Sequence, residues 1–515
     1  MSLEDFLNSP WASNSLHEIY TNSFLHMRPA PEYASGEVVL ASTYRYVGFT
    51  GSEISEGKVP KLGRDFQKLI SKGKRARNQE DTGVEPEAWN RIITGTLRSP
   101  KQPNQTSKRF LQISPVVPDA SIYSLSARLS SNSWNPGALV AKVIQFGEAS
   151  SENAQNHVNS LFHSLSVGEG DDIWARFLQK EFETWRPSSI KSAWLEPREL
   201  VVEDAITDWH KSSVRSPAVR FSKDLSRVIT LKKHLTRRQW VSMLEATLRL
   251  GTASHIFWLC RANQECFLLM RRALEGLEVP GKENLESIFG MRKGFWRYGQ
   301  YSSNSIRDYS TGFVKARVGM NIILHQLADI FGDSLDAYSL NNIEKIHEFI
   351  AFLATPEVRE KFDMVLFHKN YQDVIESDPR IVTGKKGISS NVKEFLQHVL
   401  AQRQTAEPGL DSYDQGYYLA KNSSSKSARW IVSLGPVSVL SLVHSCTHGA
   451  RGPKTIDNFC QHLGEYGIEI SAQEVSDSML GKTLRNLGLV LDSPDAEGGM
   501  VLVNPFENIS GVAAG

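Results

Sequence analysis

His444, Cys446, His448, Cys460 and His462 are residue types that ligate zinc. A structural zinc site needs four such ligands in a tetrahedron. Residues two apart on a helix point to nearly opposite sides, so only His444 and His448 share a face, and a second helix adds one more ligand at best. Three ligands do not close the site, and the favoured reading is cysteines that pack two helices together. Cys260 and Cys266 lie in apolar helical sequence, a poor setting for a thiolate nucleophile. The segment from Gly51 to Lys58 has the flavour of a phosphate loop, but its glycines stand one residue too far apart and Val59 occupies the place of the magnesium-binding Ser or Thr. A Gly-x-Ser-x-Gly elbow, a His-Glu-x-x-His helix and a dinucleotide glycine fingerprint are all missing from the sequence. The expectation is no catalytic residue, no metal and no cofactor, although a site assembled from residues distant in sequence would escape a motif search.

Two segments have the composition for binding. Residues 58–77 hold eight basic residues, Lys72, Lys74, Arg75 and Arg77 among them, against Asp65 alone. That run could dock phosphates or an acidic partner, but Glu80, Asp81, Glu85 and Glu87 follow at once, and an ordinary solvated face is the plainer reading. Residues 291–309 mix Arg292, Lys293, Arg297 and Arg307 with Phe295, Trp296, Tyr298, Tyr301 and Tyr309. Aromatic faces can stack on bases while guanidinium groups hold phosphates. The same residues suit a protein hot spot, or a loop whose aromatics anchor it to the core. Arg237 and Arg238 stand at the start of a helix, where the macrodipole disfavours cations, so a nearby carboxylate is expected, with a phosphate as the alternative.

The 515 residues carry 40% hydrophobic and 22% charged side chains and a formal net charge of +1. That length predicts several domains, and the charge balance gives no global field toward nucleic acid or anionic membrane. Glu4 and Asp5 stand where a secretory signal carries positive charge, and residues 431–443, the most apolar stretch, are broken by serines and Gly435-Pro436. That stretch is shorter than the ~20 residues of a spanning helix. With four cysteines in all, a reducing cytoplasm and no membrane contact are expected.

The fold class expected is α+β, predominantly helical, in three parts. Residues 1–225 read as a mixed α/β region, with strands at 37–46, 110–117 and 139–146, a polar loop at 99–108, and helices at 154–165 and 172–185. Residues 226–405 read as a helical domain. Thr236 and Gln239 fit a capping box, Thr355-Pro356 fits a helix start, and further helices cover 253–274, 312–331, 342–353 and 391–402. In residues 406–515, the runs 417–419 and 429–434 read as a strand pair ahead of a winged-helix-like module.

That module begins with a helix opened by Pro436, then one capped by Thr455, then a third opened by the Ser471/Glu474 capping box with Val475, Met479, Leu480, Leu484 and Leu487 inward. A hairpin over 489–491 and 500–503 completes it. In such modules the third helix often enters the DNA major groove, which makes Lys482 and Arg485 candidate contacts. The module carries four basic residues against eight acidic ones, including Asp495 and Glu497 in the wing, so a protein contact is favoured over DNA.

This layout, with Leu235 to Trp240 in the helical middle and the hairpin from Leu487 to Met500, resembles the large uncharacterised accessory proteins of bacterial anti-phage defence operons. The resemblance implies a scaffold or sensor acting beside an ATPase, nuclease or methylase encoded elsewhere. The missing catalytic motifs and the acidic winged helix point to a non-catalytic adaptor with other protein subunits as partners, using the winged helix as one interaction surface and residues 291–309 as another. The candidate contacts to a partner or to nucleic acid are Lys72, Lys74, Arg75, Arg77, Arg292, Lys293, Trp296, Arg297, Lys482 and Arg485. The alternatives to the adaptor are a DNA- or RNA-binding regulator using Lys58 to Arg77, Arg292, Lys293, Arg297, Lys482 and Arg485, and an enzyme without recognisable motifs.

Overall fold

The computed structural model describes residues 2–49, 83–85, 87–89, 91–92, 115–123, 134–186, 193–212, 214–291, 294–403, 414–423, 428–450, 452–491 and 500–506. In the first half the helices that position the rest are α1 (Gly36–Gly48), α2 (Pro136–Gly147), α3 (Ser151–Leu165), α4 (Ile173–Trp185), α5 (Pro217–Thr230) and α6 (Arg237–Leu274). They continue as α7 (Lys282–Phe289), α8 (Ser303–Phe331), α9 (Ile343–Leu353) and α10 (Gly387–Leu400). The C-terminal unit contains α11 (Pro436–Thr447), α12 (Ile456–Glu465), α13 (Ala472–Asp477) and α14 (Met479–Asn486). The strands are short: β1 (Trp296–Arg297), β2 (Leu419–Lys421), β3 (Trp430–Val432), β4 (Lys454–Thr455), β5 (Ile468–Glu469), β6 (Val490–Leu491) and β7 (Val501–Leu502). The protein is predominantly helical with small sheets, and no helix of the described residues is long and apolar enough to cross a membrane.

α6 is the axle. It opens with the expected capping box, in which the Thr236 hydroxyl accepts the Gln239 amide and the Gln239 side chain accepts the Thr236 amide. It then runs 38 residues, with every residue from Met243 to Cys260 buried. A helix apolar on all sides must be wrapped, and α1, α5, α8, α9, α10 and α11 pack around it. One hydrophobic cluster extends from Leu3 to Leu502, across both boundaries drawn from the sequence, and a smaller one gathers Phe49, Trp89, Val117 and Phe182.

Two arginines on α6 tie it to the ends of other helices. Arg237 donates to Ser164 O at 3.4 Å, to Leu165 O and to Ser166 O at 3.0 Å, where α3 ends, and pairs with Asp171 at 3.0 Å. Its amide donates to Asp172 Oδ2 at 2.9 Å. These are the internal carboxylates expected beside a first-turn cation. Arg249 donates to Val399 O at 2.6 Å and Ala401 O at 2.9 Å, where α10 ends, and pairs with the buried Asp414 at 2.9 Å. Carbonyls left unpaired at a helix C-terminus are thus met by fixed guanidinium groups.

The expected strands at 37–46 and 139–146 are the helices α1 and α2. Both runs are buried on almost every side, so their apolar residues carry no two-residue alternation, and a continuous apolar run does not distinguish strand from buried helix. The decisive local signals were Pro136 at the first helical position and Asn135, whose side chain accepts from Gly137 and Ala138 amides. Before residue 225 the described residues hold one isolated bridge, Phe49 with Trp194, and no ladder. The expected strand at 110–117 ends in irregular chain at 115–117, and its first residues, the loop at 99–108 and the segments 51–58 and 58–77 lie outside the described residues. The β2–β3 pair is antiparallel, matching the strand pair read from sequence.

Arg249→Met leaves Asp414 buried without its guanidinium and removes the donor to the Val399 and Ala401 carbonyls. A loss of about 3–5 kcal/mol is expected, read as a lower urea midpoint; a loss under ~1 kcal/mol contradicts the assignment of a buried hub.

Candidate interaction surface of the C-terminal unit

Local signals in the sequence build this unit. Pro436 stands at the first position of α11, Thr455 and Asn458 form a capping box on α12, and Ser471 and Glu474 form another on α13. β4, β7 and β6 make one antiparallel sheet in that order, with Lys454 opposite Leu502 and Val490 opposite Leu502. The third helix read from sequence is two. Ser478 adopts an extended backbone and its hydroxyl accepts the Leu480 amide at 3.2 Å, restarting the helix as α14. A serine able to cap competes with helix continuation. The break changes the phase: Val475, Leu480 and Leu484 are buried as expected, but Met479 is 65% and Leu487 41% exposed. Lys482 and Arg485 are exposed on α14 with them, and Leu491 on β6 is exposed as well. Arg485 reaches back to Ser476 O at 3.4 Å. The wing residues Asp495 and Glu497 lie outside the described residues.

The segment 294–309 anchors this unit to the helical body. β1 pairs in parallel with β5, Trp296 opposite Ile468, and the flanking amides of Phe295 and Tyr298 donate to Gly467 O and Glu469 O at 2.7 and 3.0 Å. Phe295 stacks on Phe257 of α6 with centroids 5.5 Å apart, and Trp296 packs on the same ring at 5.0 Å. Gly467 holds φ +83°, and a Cβ there would meet the Phe295 ring at 2.2 Å, so both its conformation and its space require glycine. Trp296 is 4% exposed, so it is corrected from a surface contact to an anchor: an enclosed indole cannot stack on a base. Arg297 pairs with Glu474 of α13, Nε to Oε1 at 3.1 Å, and so serves an internal contact. Arg292 and Lys293 lie outside the described residues, as do Lys72, Lys74, Arg75 and Arg77.

A buried polar knot closes the same joint. Asp224 of α5 accepts from His462 Nε2 at 2.7 Å and from the Tyr466 hydroxyl at 2.9 Å on one oxygen, and pairs with Arg220 at 2.5 Å on the other. Burial opposes the imidazolium, but the Asp224 charge and hydrogen bond overcome it, and the Cys446 side chain adds a further hydrogen bond, raising His462 to about 9. Burial works against the Asp224 carboxylate too, yet His462 and Arg220 hold it below its ordinary value. His444 is engaged with Asn504 Oδ1 at 3.3 Å, and its ring lies 5.0 Å from that of His448. The five His and Cys residues considered for zinc are thus divided, and the described residues contain no group of three or more potential ligands that could hold a metal. Burial pushes the Cys266 and Cys460 thiols up to about 12, which keeps them protonated.

No protein-family model and no curated protein matches the chain. The surface reading therefore rests on geometry: a unit locked to the body by β1–β5 and Asp224, presenting α14 outward. The knot was not legible in the sequence, because Asp224 and His462 are 238 residues apart.

A raised histidine contributes its stabilisation in full below the unfolded value of about 6.5 and loses it as pH rises through the folded value. The lowered Asp224 contributes above its unfolded value of about 3.9 and loses that as pH falls through its folded value. Thermal stability should therefore hold between about pH 4 and 6.5 and decline progressively above 6.5, the His462 contribution being lost once pH has risen through about 9. In His462→Gln the midpoint at neutral pH drops and this alkaline decline disappears; an unchanged alkaline decline in the variant would refute the role given to the pair.

Proposed function

We propose that this protein is a non-catalytic adaptor or sensor subunit of a multiprotein complex, in keeping with the resemblance to anti-phage accessory proteins, acting in the cytoplasm. Residues 436–506 are read as a winged helix. Supporting that reading is the order helix, strand, helix, strand, split helix, strand, strand, in which β4, β7 and β6 form one sheet in that order and β5 pairs with β1 outside it. The observation that carries the interaction role is the outward side of α14, where Met479, Lys482, Arg485 and Leu487 are exposed together, with Leu491 of β6 exposed as well.

A protein is the better partner for this face than DNA. Two cations engaging two phosphates give a salt slope of only about −1.8, against the six to ten phosphate contacts of a typical DNA-binding protein. Exposed Met and Leu beside Lys and Arg form the mixed apolar and basic surface that a protein groove or helix can cover. Nucleic-acid binding through Lys482 and Arg485 stays the second reading, since both are exposed on one helix.

Affinity-tagged protein incubated with extract of its source cells should retain a specific protein that the double variant Met479→Asp, Lys482→Glu loses, because both exposed positions tolerate charge without unfolding. A change at one interface hot spot is worth about 2 kcal/mol or more, roughly thirtyfold in affinity. Retention of the same protein by the variant, or salt-dependent duplex DNA binding that the variant abolishes, would overturn the adaptor assignment for this face.

A further inference from the structure

A second basic series is spread along the chain at intervals that hide it. Between 211 and 233 stand Lys211, Arg215, Arg220, Lys223, Arg227, Lys232 and Lys233, against Asp224 alone. α5 sorts them. Arg220 is consumed by Asp224 and Glu465. Arg215, Lys223 and Arg227 instead line a cleft of about 600 Å3 between the start of α5, the end of α2 and the end of the helix Asp204–Trp209.

The electrostatics of this cleft favour an anion. Arg215 and Lys223 are exposed and make no hydrogen bond or ion pair with the described residues. Arg227 donates to Ser445 O and lies 3.9 Å from Asp224. Among the described residues the one carboxylate lining the cleft is Glu148, which His157 holds at 2.7 Å. The N-cap of α5, Ser216, makes no side-chain capping bond, but it borders the adjoining groove rather than this cleft, so the helix start takes no part in this site. An independent sign of a missing partner is Ser222. It lines the cleft at 2% exposure, and its hydroxyl has no hydrogen-bond partner.

The neighbourhood also sets the size of the anion. On the other side of the α5 start, Arg215 and Lys223 border an adjoining groove that contains Glu283, Glu286, Glu465 and Glu469. A nucleic-acid backbone continuing past the cleft would meet these carboxylates, whereas a discrete anion would not. The cleft volume lies in the range of small-molecule sites, roughly 300–1,000 Å3.

We propose that this cleft binds a small phosphate-bearing molecule, with Arg215 and Lys223 on its phosphate and Ser222 donating from the floor. Because Arg227 spans from the cleft to the Ser445 carbonyl of α11, an occupied cleft borders directly on the joint of the C-terminal unit. The site stands independently of the adaptor reading.

The test is calorimetric titration of the full chain with inorganic phosphate, pyrophosphate, AMP and ATP, with chloride at matched ionic strength as the blank. Saturable binding of at least one probe is expected, with the strongest probe separating a free-phosphate site from a nucleotide site. The double variant Arg215→Ala, Lys223→Ala should bind at least about tenfold more weakly, given ~1.5–3 kcal/mol for a charge-assisted hydrogen bond. Its ligand-free melting should match the parent, since both side chains are exposed, and Lys369→Ala, exposed on a different helix, should bind as the parent does. Absence of saturable binding by every probe, equal binding by the double variant, or tighter binding of oligonucleotides with increasing length would overturn the proposal.

Discussion

The enclosure of α6 is the constraint on which the rest of the structure depends. From Met243 to Cys260 every residue of this helix is buried, although the stretch includes Glu245, Arg249 and His255. Apolar residues on every side require partners on every side, and polar ones among them require partners of their own. Arg249 meets this by taking Asp414 and the end of α10 together, and Arg237 by taking Asp171 and the end of α3. The two guanidinium groups stand near the start of the axle and bring helices from distant parts of the chain against it. His255 meets the same constraint differently: burial lowers its pKa to about 3, so it sits as a neutral ring against Phe146 and Trp258.

From this axle the C-terminal unit acquires a fixed position. Phe257 of α6 carries Phe295 and Trp296, these place β1, and β1 places β5. α5, packed on α6, supplies Asp224 to His462 and Tyr466 at the other side of the joint. Breaking a buried pair of this kind by removing one partner costs about 3–5 kcal/mol, enough to matter to a small unit with a short three-stranded sheet. A module held in this way offers a partner a surface of defined orientation.

What was legible in the sequence was local. The capping boxes at Thr236/Gln239 and Ser471/Glu474, the Thr355-Pro356 start and the β2–β3 pair depend on residues within a few positions of one another, and all stand in the structure. What was not legible came from burial and from distance. α1 and α2 lost their helical signature because their polar sides are covered too, with Glu37, Thr43, Arg45 and Gln145 all buried. Trp296 has the composition of a binding residue because an anchor and a hot spot need the same large amphipathic ring. The break at Ser478 turned Met479 outward, a one-residue event that hydrophobic spacing does not register. The cleft at α5 went unseen because its cations are interleaved with core residues such as Phe221 and Leu225, rather than contiguous as in residues 58–77.

The C-terminal unit belongs to the helical body through the β1–β5 ladder and the Asp224 knot. Hydrogen exchange followed by mass spectrometry on the full chain tests this attachment most directly, because the Phe295 and Tyr298 amides donate across that ladder to Gly467 and Glu469. Peptides covering 294–299 and 466–470 should exchange slowly and together, on the timescale of α12. Rapid exchange of both peptides while α6 stays protected would show a tethered unit with an open joint and would contradict the account.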